Sequence, residues 1–85
     1  MTKKHFEAIA KDINKKTLEI LECNFSYDEK WFALLTLEDL VHELRITFSE
    51  FNNNFDVDKF IIACGVRSLK LELERDRATY IANGM

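Results

Sequence analysis

The sequence contains no proline and only two glycines, Gly65 and Gly84, in its 85 residues. Few positions can therefore break a helix or adopt a left-handed turn. In the first segment, residues suited to a core recur every three or four positions, as they do on one face of an amphipathic helix. These residues are Phe6, Ile9, Ala10, Ile13, Thr17, Ile20 and Leu21. We predict an all-α fold, a small compact bundle of four to five helices in a single domain spanning residues 1–85.

Polar residues indicate where the helices begin and end. Ser26, followed three residues later by Glu29, fits a capping box at a helix start. The three asparagines at 52–54 compete for backbone hydrogen bonds and are expected to end that helical region. Asp56 is a good N-cap, and Gly65 stands where a left-handed residue would end a two-turn helix. The stretch at 52–65 is therefore predicted to end one helix, to form a short second helix and to end that helix at Gly65.

The region at 28–51 allows two interpretations. Its apolar spacing is compatible with one long helix. Thr36, with Asp39 three residues later, resembles a second N-cap in which Asp replaces the usual Glu or Gln. We favour a short helix followed by a longer one, with a bend at Thr36.

The C-terminal segment is also ambiguous. We divide the domain into a core at 1–65 and an extension at 66–85, which Leu, Glu, Lys, Arg and Ala dominate. That composition favours a helix. Alternating apolar and polar residues leave a short strand pair open as the alternative, formed by residues 43–48 and 68–74.

Charge is distributed unevenly along the chain. The formal net charge is −3, but the first 16 residues carry five lysines against two acidic residues, a local +3 that leaves −6 for the remainder. An acidic protein is poorly suited to non-specific DNA binding, which depends on neutralising phosphates. The basic first helix nevertheless supports an alternative, a small DNA-binding or regulatory protein. Its phosphate contacts would come from Lys4, Lys11, Lys15 and Lys16.

No residue pattern in the chain predicts catalysis, a metal site or a cofactor. Structural zinc ligands usually come in close pairs, whereas the candidate ligands here are far apart: His5, Cys23, His42 and Cys64. The glycine-rich loops that hold phosphates are missing. The ligand spacing of an EF-hand is missing around Asp56 and Asp58. We expect no enzyme activity, no cofactor and no metal.

Hydropathy bears on where the protein acts. No apolar run approaches the roughly 18 residues that span a bilayer. The opening MTKKHFEAIAK lacks the apolar segment of a secretory signal. We therefore expect no membrane partner, reduced cysteines and a cytoplasmic location.

Aromatic residues make up 12% of the chain, more than a core of this size easily hides. Several of them accompany the predicted connection around Ser26 and the predicted bend at Thr36. Exposed aromatic side chains are typical hot spots of protein interfaces. We expect the partner-binding residues to be Tyr27, Trp31, Phe32 and Phe55.

Two stretches carry a resemblance to known sequences, MTKKHFEAIA at the start and NFDVDKFIIACG at 54–65. They resemble a group of very small, mainly uncharacterised proteins of phages and phage-like elements. Members of that group often begin with a similar run and share the pattern FDxxxFxxACG. This chain has Asn53 where the group often has proline, and it continues for twenty residues past Gly65. The resemblance implies a phage context inside a bacterial host and no particular activity.

Together these observations favour a small phage-type protein-binding module. A phage context favours small binding proteins directed at a host or defence protein, as inhibitors or modulators; anti-CRISPR proteins are one such class, but no motif here marks one. The expected partner is a protein, nucleic acid is the less favoured alternative, and a homodimer is left open.

Overall fold

The computed structural model describes the backbone of residues 2–82 and the side chains of residues 2–76. Over this part the chain forms four helices: α1 (Lys3–Glu22), α2 (Tyr27–Phe51), α3 (Val57–Cys64) and α4 (Val66–Ala82). The predicted all-α fold is confirmed. The alternative strand pair does not form, because both of its segments lie within α2 and α4, where Leu, Glu, Lys and Arg favour helix. None of the helices described is both long and apolar enough to cross a membrane.

Helices α1 and α2 form an antiparallel hairpin. At one end, the rings of Phe6 and Phe48 are 4.9 Å apart between centroids. At the other end, the Lys30 Nζ donates to the Leu21 carbonyl at 2.7 Å. Helix α3 packs mainly on α1, and α4 packs mainly on α2. Helices α3 and α4 therefore lie in tandem along the hairpin, in the position of a third helix that is divided at Gly65.

The core lies along the line where these helices meet. Four phenylalanines form its most aromatic end, because Phe55 contacts Phe6, Phe48 and Phe60 with centroids 4.6–5.6 Å apart. Thr17 is fully buried, and its hydroxyl donates to the Ile13 carbonyl. The buried apolar residues are Phe6, Ala10, Ile13, Leu34, Val41, Phe48, Phe60, Cys64 and Val66.

The helix boundaries occur where the polar residues predict them. Ser26 and Glu29 form the expected capping box, in which each side chain accepts from the other residue's backbone N–H. Helix α2 ends before Asn52, and the Asp56 side chain accepts from the Lys59 N–H at the start of α3. Gly65 ends α3 with a left-handed φ of 71°. These predictions are confirmed.

The predicted bend at Thr36 is wrong, because α2 is one continuous helix from Tyr27 to Phe51. The Thr36 hydroxyl donates back to the Phe32 carbonyl, four residues earlier, and does not cap a new helix. The apolar stripe also continues through this point, since Leu34 and Val41 are both buried.

Candidate partner-binding surface

The four aromatic residues predicted to bind a partner do not lie together. Tyr27 and Trp31 are half-buried and Phe32 is exposed, all in the first two turns of α2. Phe55 packs among the phenylalanines at the other end of the bundle. Its neighbour Phe48 is 17 residues from Trp31, which is about 26 Å along a helix. The structure thus brings together Trp31 and Phe32 and places Phe55 elsewhere.

Trp31 is held by contacts from α4. Its indole Nε1–H donates to Glu74 Oε1 at 2.9 Å. The Lys70 Nζ lies 5.7 Å from the centroid of the ring, within the range of a cation–π interaction. Because Lys70 and Glu74 are four residues apart on α4, they lie on the same side of that helix. The ring of Trp31 therefore has a fixed position.

Lys70 also forms the least exposed ion pair in the described part of the chain. Its Nζ lies 3.0 Å from Glu38 Oε1, and the two side chains are only 13% and 18% exposed. Removing one partner would leave the other charge in a site that is largely shielded from water, which is costly. The pair therefore fixes how α4 sits against α2, and with it the position of Trp31.

Exposed apolar side chains surround this fixed ring. Phe32 meets Trp31 edge-on with centroids 5.4 Å apart, and 62% of Phe32 is exposed. Leu71, on α4, follows Lys70 and is nearly half exposed. Between α2 and α4 lies a cleft of about 400 Å³. It is lined by Glu38, His42, Arg67, Lys70, Leu71 and Glu74. We define the Trp31 surface as Trp31, Phe32 and the lining residues of this cleft, which include Leu71.

The lysines of α1 lie away from this surface. Lys4, Lys11 and Lys15 are exposed and share the side of α1 opposite the core. Lys16 forms an ion pair with Glu19 at 2.8 Å, and this contact lowers the pKa of Glu19. Three of the four lysines predicted for nucleic-acid binding therefore form one ridge, and Lys16 is engaged locally.

A second cleft, of about 380 Å³, lies between α1 and α3. Its floor is aromatic, with Phe6, Phe55 and Phe60, and its rim carries Lys3 and Asp56 among other polar residues. Its lining comes from the start of α1 and from residues 52–63. Phe6 and Phe60 of the floor are buried core residues, so this cleft belongs largely to the packing of the bundle.

The two cysteines differ from reactive thiols. Cys64 is fully buried, and burial raises its pKa to about 11. The Cys23 thiol is half-buried and donates to the Ile20 carbonyl at 2.9 Å. Among the residues that the structure describes, no group of three or more His, Cys, Asp or Glu side chains could hold a metal ion.

Comparison with protein-family models, with curated proteins and with solved structures finds no match to this chain. The interpretation of the Trp31 surface therefore depends on its own geometry. Sequence reasoning missed the residues that organise this surface, Glu38, Lys70 and Glu74. No local signal could find them, because they are 32 and 43 residues from the side chains they contact.

Proposed function

We propose that the protein is a protein-binding module that uses the Trp31 surface. The observation that carries this proposal is a tryptophan held by Glu74 and Lys70 beside an exposed phenylalanine. Tryptophan is enriched among the residues that dominate binding energy. A ring that is already fixed loses little conformational freedom when a partner covers it.

The chemistry of the surface suits a protein partner better than a small ligand. Phe32 beside Trp31 and Leu71 in the cleft are exposed apolar groups, and the cleft contains charges of both signs. Protein interfaces combine buried aromatic anchors with polar contacts in this way. The residues after position 16 carry a formal charge of −6, which favours a partner with a basic surface.

The resemblance to small phage proteins extends the proposal to a class of partner. A phage-encoded module of this size would act in the bacterial cytoplasm as an inhibitor or modulator of a host or defence protein. An anti-CRISPR role is one form of that activity.

The test is a tagged pull-down from bacterial lysate, with and without nuclease, read by mass spectrometry. Three forms are compared: the wild type, Phe32→Asp and Ile62→Asp. Ile62 is the matched control, because it is 76% exposed and lies on α3, outside the Trp31 surface. We expect a nuclease-resistant protein that wild type and Ile62→Asp capture equally. Phe32→Asp should capture at least about 10-fold less, since losing a hot spot costs 2 kcal/mol or more.

Two results would overturn the proposal. One is equal capture by Phe32→Asp and the wild type. The other is a partner that disappears when nucleic acid is digested. Circular dichroism of Phe32→Asp should match the wild type, because the replaced ring is mostly in water.

A second candidate function depends on the ridge of Lys4, Lys11 and Lys15. Three exposed lysines on one side of a helix could contact successive phosphates. This alternative predicts DNA binding that weakens steeply with salt and is lost when the three charges are reversed. Reversing the exposed Lys59, on α3, should leave that binding unchanged.

A further inference from the structure

The cleft of the Trp31 surface has two chemically different ends. Helices α2 and α4 run antiparallel along it, because Trp31 bonds to Glu74 and the later Glu38 pairs with the earlier Lys70. Trp31 and the exposed Phe32 mark one end. Beyond the ion pair, in the direction away from the aromatic rings, the cleft continues along both helices.

Three nitrogen-bearing side chains lie at this far end. His42, one turn after Glu38 on α2, lines the cleft together with Arg67, one turn before Lys70 on α4. The Arg45 Nε donates to the His42 Nδ1 at 3.1 Å, which brings a second guanidinium group to this end. We define His42, Arg45 and Arg67 as the cationic end of the cleft.

The structure leaves hydrogen-bond donors unused at the cationic end. In the part of the chain that the structure describes, the ion pairs are formed by lysines, and neither Arg45 nor Arg67 takes part in one. Because the His42 ring accepts through Nδ1, its hydrogen is on Nε2, which remains a donor. Two guanidinium groups and one imidazole N–H can therefore donate to a bound group.

The position of Arg67 adds to this demand for a negative charge. It lies in the first turn of α4, where a positive charge opposes the helix dipole and no acidic residue accompanies it. The two acidic residues that line the cleft are engaged elsewhere, Glu38 with Lys70 and Glu74 with Trp31. An anion supplied by a partner would compensate the charge of Arg67 better than these residues do.

We propose that the cationic end of the cleft binds an acidic side chain of the partner protein, while an apolar side chain of the same partner packs on Phe32. This inference rests on the proposed function and specifies the chemistry of the partner. A carboxylate has two oxygens, which can accept from both guanidinium groups and from the His42 Nε2–H. The planar guanidinium of arginine matches the geometry of a carboxylate.

The distance between the two contacts follows from α2. Trp31 and His42 are eleven residues apart, which is about 16 Å along the helix axis. Eleven residues also make about three helical turns, so residues eleven apart on a partner helix lie on the same side of it. A partner helix along the cleft would thus carry an apolar residue at one end and an acidic residue eleven positions away.

The charge of the whole chain acts differently from this local contact. The formal charge of −6 on the residues after position 16 attracts a basic surface at long range. The cationic end acts at short range, on one group of that surface. An acidic side chain at this point would select the register in which the partner binds.

Titration with synthetic helical peptides tests the proposal, and the fluorescence of Trp31 is the readout. Trp31 is the only tryptophan in the chain, and the peptides contain none. The probe is a helix of alanine and glutamine that carries one phenylalanine and, eleven residues later, one glutamate. In the first control peptide, glutamine replaces the glutamate. In the second, the glutamate follows the phenylalanine by four residues, or about 6 Å.

We expect the probe to bind about 10-fold more tightly than either control peptide, because a charge-assisted hydrogen bond is stronger than one to a neutral amide. Arg67→Glu should remove this preference and should favour a peptide with lysine in place of the glutamate. Circular dichroism of Arg67→Glu should match the wild type, since an acidic residue suits the first turn of a helix.

Arg75→Glu is the matched control variant. Arg75 is also an exposed arginine of α4, and it does not line the cleft. The substitution changes the net charge by the same amount as Arg67→Glu. It should leave the preference for the glutamate peptide unchanged.

Three results would overturn the proposal. The first is equal binding of the probe and its glutamine control, the second is no binding of the probe at about 1 mM, and the third is a preference for glutamate that survives Arg67→Glu. Failure of the proposed function is a separate outcome, decided by capture of a protein through Phe32. A captured protein that Phe32→Asp loses and Arg67→Glu retains would remove the acidic contact and keep the proposed function.

Discussion

At the scale of single residues, Gly65 and Asn14 control the junction between α3 and α4. Gly65 has a φ of 71°, and a Cβ built there would lie 2.6 Å from Asn14 Nδ2. The same Nδ2 donates to the Cys64 carbonyl at 3.2 Å, which satisfies a group at the end of α3. Asn14 therefore needs a neighbour without a Cβ.

We predict that Gly65→Ala lowers the free energy of unfolding by more than the roughly 1–2 kcal/mol cost of the left-handed backbone. The extra loss comes from displacing Asn14. Asn14→Ala alone should cost about 1 kcal/mol, the value of one hydrogen bond. Urea denaturation of the double variant checks the coupling, because Gly65→Ala should cost less once Asn14 is gone. Strict additivity would contradict the proposed contact.

Cys64 predicts a pH dependence on the alkaline side. Burial raises the pKa of its thiol from 9.0 to about 11. The unfolded chain therefore loses this proton first, and the free energy of unfolding should fall as pH rises from 9 to 11. Urea denaturation of the wild type and Cys64→Ala, at pH 8 and at pH 10.5, isolates this effect. The difference between the two proteins should shrink at the higher pH, and a constant difference would contradict it.

At the scale of elements, the start of α3 depends on a single cap. Asp56 accepts from the Lys59 N–H at 3.0 Å, whereas Asp58, in the first turn, is exposed and interacts with the helix dipole. We predict that Asp56→Ala lowers the free energy of unfolding by about 1 kcal/mol. Asp58→Ala should lower it by about 0.3 kcal/mol. Thermal denaturation of both variants compares them, and equal losses would show that the cap does not matter.

The elements also show what local sequence can and cannot predict. Ser26, Asp56 and Gly65 indicate real boundaries, because each acts through hydrogen bonds or dihedral angles within a few residues. Thr36 misleads for the same reason. Its sequence context resembles a cap, but its hydroxyl bonds the preceding turn, and burial of the stripe on both sides keeps α2 continuous.

The candidate surface was predictable only in part. The sequence points to Trp31 and Phe32 as candidates because it has more aromatic residues than a core of this size easily buries. The same reasoning selects Phe55. In the structure, however, Phe55 packs against three other phenylalanines, because α3 returns to α1. The contacts of Trp31 with Lys70 and Glu74 depend on how α4 docks, and no spacing within one helix encodes that.

At the scale of the whole molecule, the two clefts differ in lining. The cleft between α2 and α4 lies beside Trp31 and contains charges of both signs. The cleft between α1 and α3 has an aromatic floor that is shared with the core. We propose the first, together with Trp31 and Phe32, as the surface for a partner protein.

The most direct measurement of the central claim is photo-crosslinking in bacterial lysate from a single reactive residue. The photoreactive residue replaces Phe32 in one protein and Ile62 in the control, since both side chains are mostly exposed and lie on different helices. We predict a discrete crosslinked protein from position 32 that persists after nuclease treatment and is absent from position 62. No product from position 32, or the same products from both positions, would contradict a partner at the Trp31 surface.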